Sequence, residues 1–138
     1  ADSYGAVFDL FPRLAYINFQ ASAGASPSSV VLGPNNVGTT FNYQTPMGRW
    51  FNFTYSYDGI NTTRVYIDGQ LKQTFGNVGV PVNGTNVTRV IVGNMSTMGS
   101  HLLRSYADEL AIYPSVLTAS QIQEIYAQGL PRHLAKKD

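Results

Sequence analysis

From Phe51 the large apolar side chains fall on every second position: Phe51, Phe53, Tyr55 and Tyr57, with Asn52, Thr54 and Ser56 between them. A period of two puts one face of a β-strand in aromatic surroundings and leaves the other polar. Asp58-Gly59 stops the run, and Arg64-Val65-Tyr66-Ile67 resumes the β pattern after a short polar loop. Asp68-Gly69 then separates that run from Gln70–Phe75. A type I′ turn needs positive φ at both central positions, so an Asp-Gly pair between two β-rich runs predicts a hairpin.

The flanking sequence repeats the theme. Residues 4–10 form a short apolar run closed by Pro12, and Leu14–Phe19 alternates again. Residues 20–38 are rich in Ala, Ser, Gly, Pro and Asn, which predicts two loops around a brief strand at Val30–Leu32. Thr39–Tyr43, Val87–Val92 and Tyr106–Tyr113 are further predicted strands, with loops at 76–84 and 93–100. One helix is expected over 119–128. Thr118 and Gln121 have the spacing of a capping box, and Leu117 and Ile122 that of a hydrophobic staple. Ile122, Ile125 and Tyr126 give an apolar stripe, and Gly129 with Pro131 marks the expected end. About eight short strands and one late amphipathic helix describe an all-β antiparallel sandwich or jelly roll over 1–130, followed by a basic tail or linker at 131–138.

Composition narrows the function. The chain has 138 residues, enough for one domain with a sizeable core. Only 12% of residues are charged and the net charge is +1, so nothing marks a nucleic-acid partner. There is no cysteine, which removes disulfides and thiolate metal sites. No apolar run is long enough for a membrane span. The chain opens at Ala1 without a basic-then-apolar leader, and it reads as a piece of a longer polypeptide.

The run Gly48-x-Trp50, Tyr57-Asp58-Gly59 and Val65-Tyr66-Ile67-Asp68-Gly69 resembles the signature of concanavalin A-like jelly rolls of the laminin-G-like type. Val90–Gly93, Asp108–Tyr113, Leu117–Ile122 and Gly129 resemble that family's closing strands and helix. The resemblance covers about 46–129 well and 4–45 loosely. It implies a domain lacking its first strand or two, because the aromatic-rich opening strand of the family is not found here. It also implies that Trp50, Phe53, Tyr55 and Tyr57 are core residues rather than a sugar platform. Ala111 stands where the family often has a basic residue. The fold serves lectins, adhesion modules and glucanases alike, so it does not fix function.

Candidate chemistry is sparse. The glucanase pattern Glu-x-Asp-x-x-Glu, whose carboxylates share one strand face, is absent. Asp108 and Glu109 are adjacent and therefore point to opposite faces; Asp108 is expected to be a partly buried carboxylate beside Leu110 and Ile112. His101 and His133 have no partners at ligand or triad spacing, so no enzyme is expected. No metal or cofactor is assigned. Calcium is the one cation the resemblance suggests, with Asp58, Asp68, Asn94 and Asp108 as candidates; turn formation competes for Asp58 and Asp68. Five N-x-S/T sequons, at Asn52, Asn61, Asn83, Asn86 and Asn94, are candidate glycosylation sites and point to the secretory pathway. The expectation is a non-catalytic, lectin-like module of a larger secreted or cell-surface glycoprotein. Its partners would be glycans, extracellular proteins or other segments of the same protein. An accessory domain of a secreted glycosidase or protease is one alternative, and a structural unit of a surface filament or coat another.

Overall fold

The computed structural model describes residues 3–11, 15–21, 29–33, 39–46, 48–76, 89–93 and 106–134. Eight strands and one helix lie within them: β1 (Ser3–Phe11), β2 (Ala15–Ala21), β3 (Ser29–Gly33), β4 (Thr39–Asn42), β5 (Phe53–Tyr57), β6 (Thr63–Ile67), β7 (Gln70–Phe75), β8 (Arg89–Val92) and α1 (Ala119–Leu134). They form two antiparallel sheets, one of order β4-β3-β2-β1-β8 and one of order β5-β6-β7. The expected strands before residue 76 are all present, with ends shifted by a residue or two. Of the Val87–Val92 strand, 89–92 is described, and the loops of 20–38 and those at 76–84 and 93–100 fall largely outside the described residues.

The sheets face each other across an aromatic core. Phe19, Val30 and Phe41 lie side by side across β2, β3 and β4, because Phe19 is opposite Val30 and Val30 opposite Phe41 in register. Val65 and Ile67 of β6 complete the buried cluster, with Phe51, Phe53, Tyr55 and Phe75 packed against it. Phe19 meets Phe53 edge-on with centroids 5.5 Å apart, and Phe41 meets Phe75 at 6.5 Å. Each such pair adds about 0.5–1.5 kcal/mol beyond the area it buries. These contacts set β5 over β2 and β7 over β4. Tyr66 faces away from this core by alternation, yet it is buried; Ile122 of α1 is likewise buried outside the cluster.

Expectations for the C-terminal part of the chain change. Residues 106–113 form no strand: they are exposed throughout, and Glu109 takes a φ of 54°, which ends extended backbone. Asp108 is therefore exposed rather than partly buried; its Oδ1 accepts the Glu109 N–H at 2.9 Å. The helix does not stop at 128. It continues to Leu134 with Pro131 inside it, giving up the hydrogen bond that the proline nitrogen cannot donate. Gly129 is not a left-handed cap but a helical residue, whose missing Cβ leaves room for Glu109 Oε2; an added Cβ would lie 3.1 Å from that oxygen. The capping box forms as expected. Thr118 N–H donates to Gln121 Oε1 at 2.8 Å, and Gln121 N–H donates to Thr118 Oγ1 at 3.3 Å.

On the outer edge of the three-stranded sheet the β6–β7 ladder skips a residue. Val65 is opposite Gln73 and Tyr66 opposite Leu71, so Lys72 forms a bulge.

Candidate functional site

The β6–β7 turn gathers the polar groups that sequence separates most widely. Asp68 and Gly69 have φ of 51° and 74°, the left-handed pair of a type I′ turn. Asp68 N–H donates to the Asn52 carbonyl at 3.0 Å, and Asn52 N–H donates back to Asp68 Oδ1 at 2.9 Å. Arg49 Nη1 donates to Asp68 Oδ2 at 3.2 Å and to the Trp50 carbonyl at 3.1 Å. Asp68 thus ties the backbone entering β5 to the hairpin turn. α1 closes over the same turn: a Cβ on Gly69 would lie 3.1 Å from Tyr126 Cδ1 and 3.2 Å from Gln123 Cα. Helix and turn meet this closely only because residue 69 has no side chain.

Trp50 stands at the rim of this cluster and is 41% exposed, not a core residue as the family pattern implied. Its position before β5, outside the ladder, explains the difference: the period-two alternation that buries Phe51 and Phe53 starts after it. Tyr57 also lies outside the core, half-buried, its hydroxyl donating to the Ile60 carbonyl at 3.1 Å. Phe53 and Tyr55 pack against the core as expected.

Asp58 sits at the other end of β6. Its Oδ1 accepts the N–H groups of Ile60, Asn61 and Thr62, each at 2.9 Å, and its own N–H donates to the Thr62 carbonyl. Bonds from the Thr62 and Ile60 amides, with a smaller one from Asn61, hold its pKa down to about 2. The five residues of β6 separate Asp58 from Asp68 by roughly 16 Å, too far to share one ion. Asp58 Oδ1 is taken by loop amides, and both Asp68 oxygens are taken by Asn52 and Arg49. These carboxylates act as turn-builders and do not fit a common calcium cradle. Among the described residues no three His, Cys, Asp or Glu side chains are grouped as a metal site.

Two of the five sequons are described. Asn52 is half-buried and its Oδ1 accepts the Thr54 hydroxyl at 3.0 Å; Asn61 is exposed at the tip of the Asp58 loop. Asn83, Asn86 and Asn94 fall outside the described residues, as does His101. Arg49 had no signal of its own in the sequence, since its partner lies 19 positions away.

Residues 7–123 match the Laminin_G_3 family, described as the concanavalin A-like lectin/glucanases superfamily. The chain belongs to that superfamily. A similar solved structure is an S-layer domain-containing protein (residues 221–444) from Clostridium thermocellum, with 15% identity and a TM-score of 0.53. The match covers 80% of this concanavalin A-like domain and 56% of the other chain, so the domain spans little more than half of it. That likeness is one of fold. No curated protein matches the domain in sequence. Within the described residues no helix is long and apolar enough to cross a membrane.

Proposed function

We propose that this concanavalin A-like domain is a non-catalytic binding module of a larger secreted or cell-surface glycoprotein, and that it recognises glycans at the Trp50 rim. The exposure of Trp50 beside Arg49 and Asp68 carries this reading. A sugar face stacks on an aromatic ring while its hydroxyls bond to neighbouring planar polar groups, and both elements occur here at one end of the sandwich. The carboxylates that might serve hydrolysis are instead committed to turns, which supports binding over catalysis. A glycan array probed with the domain, with and without chelator, tests it. Binding that survives chelation and is lost in Trp50→Ala with an unchanged circular dichroism spectrum is expected. No binding in either condition sinks the glycan form of the proposal.

A second reading, a structural unit of a surface coat, draws support from the fold shared with an S-layer domain-containing protein. Ordered arrays of the parent protein in electron micrographs would favour it. On either reading Asn61 is the better placed of the two described sequons for a glycan, because its side chain is exposed. Loss of one glycosidase-sensitive mass increment in Asn61→Gln, produced in a eukaryotic secretory host, checks that assignment.

A further inference from the structure

Thr63 keeps a hydroxyl where a hydroxyl costs stability. On β6 it shares the inward face with Val65 and Ile67, opposite Tyr57 and Phe75. It is 1% exposed, and its Oγ1 is buried with no hydrogen-bond partner among the described residues. A polar atom buried without a partner is unfavourable, and a valine of the same shape would suit the inside of a strand better. Two residues earlier the chain is in water. Asn61 is exposed at the tip of the Asp58 loop; its N–H donates to Asp58 Oδ1 at 2.9 Å, and its Oδ1 accepts the Thr62 hydroxyl at 3.1 Å. Asn61 and Thr63 are the two ends of one sequon, and the fold leaves one outside and seals the other in. The Asn52 sequon differs: its Thr54 lies on the other face of β5, opposite Tyr66, and is half-buried.

We propose that the Thr63 hydroxyl is a recognition group for glycan transfer to Asn61 that works only before β6 is enclosed, so that modification precedes folding at this site. The proposal rests on the secretory-glycoprotein reading above. A sequon is read through both its amide and its hydroxyl. In the transfer, Asn61 Nδ2 bonds to C1 of a sugar carried on a lipid pyrophosphate. The C1–O bond breaks, its electron pair leaves with the pyrophosphate, and one Nδ2 proton passes to a base of the enzyme. Chain order permits this sequence of events. β7, whose Phe75 lies opposite Thr63, follows β6 in the chain, so the sequon is complete before the strand that encloses it. In the folded domain an enzyme reaches Asn61 but not the Thr63 hydroxyl. The glycan itself remains outside, because the loop tip that bears it is exposed.

Two acceptors test this: the 138-residue chain, made without glycans in bacteria and folded, and a peptide of residues 57–67. Each is given a eukaryotic oligosaccharyltransferase with its lipid-linked donor, and occupancy of Asn61 is read by mass spectrometry. The peptide should be modified. Asn61 of the folded chain should be modified at least about a hundredfold more slowly, because it offers the whole sequon only when β6 opens. Equal rates overturn the proposal while leaving Asn61 an acceptor. A peptide that is not modified overturns the sequon assignment itself, and the proposal with it. Thr63→Val gives a second readout. In the unglycosylated chain it should raise the urea midpoint by about 0.5 M or more. In a eukaryotic secretory host it should remove the Asn61 glycan. A midpoint that does not rise shows that the hydroxyl serves the fold, and overturns the proposal; a glycan retained at Asn61 overturns it equally.

Discussion

Gly69→Ala separates the two demands made on that residue. The first is conformational: at φ 74° an L side chain costs about 1–2 kcal/mol. The second is spatial. The new Cβ would lie 3.2 Å from Gln123 Cα, a backbone atom that cannot rotate away, as well as 3.1 Å from Tyr126 Cδ1. Overpacking of this kind costs about 1–3 kcal/mol, and relief requires α1 to shift. Gly59 is the internal control. Its φ is 79°, but among the described residues an added Cβ meets nothing within 4 Å, so Gly59→Ala should lose only the conformational part. The total for Gly69→Ala is about 2–5 kcal/mol. With a urea slope of about 1–3 kcal/mol/M, its midpoint should fall by about 1 M or more relative to wild type, and clearly below that of Gly59→Ala. Asn tolerates positive φ but still brings a Cβ, so Gly69→Asn should remain strongly destabilised while Gly59→Asn is nearly neutral. If the alanine variants at 69 and 59 unfold at the same urea concentration, the helix does not rest on this turn.

Gly129→Ala should act in the opposite direction. It gains about 0.5–1 kcal/mol of helix propensity, and among the described residues the one atom it meets is the far end of the Glu109 side chain, so the melting temperature should rise by a few degrees; a fall would show that Glu109 is held in place. Thr118→Ala removes the cap and should cost about 1 kcal/mol, read as a lower urea midpoint with an unchanged slope. Asp58 makes stability pH-dependent. Its folded pKa of about 2 is below the ordinary carboxylate value, so its contribution is present above about pH 4 and is lost as pH falls towards 2. Asp58→Ala should lower the melting temperature at pH 7 and flatten its decline between pH 4 and 2; matching slopes for the two proteins would remove Asp58 from that role.

What could be read from the chain was what the chain decides locally. The Asp68-Gly69 turn needs two positive φ values side by side, and the Thr118–Gln121 box needs three residues of spacing, so both appear in the sequence. Alternation marked β5 and β6 for the same reason. Alternation also marked 106–113, but a strand requires a neighbour to pair with, and no local pattern says whether one is there. Gly129 carried the signature of a helix stop, whereas the structure uses its empty side for Glu109, 20 positions back. Trp50 was assigned to the core by family pattern, and its exposure depends on where the ladder begins. The Arg49–Asp68 pair that frames the rim exists only once β5 and β6 are side by side.

The bulge at Lys72 makes the two sides of the small sheet unequal in what they permit. A displaced register and an exposed ammonium group stop another strand from adding to β7. β5 carries no charge and no such interruption. Lys72 thus works as a guard on the β7 edge, keeping the sheet of one molecule from recruiting a strand of another. Replacing it with Val, and restoring register by deleting one residue of β7, should raise the protein's tendency to aggregate.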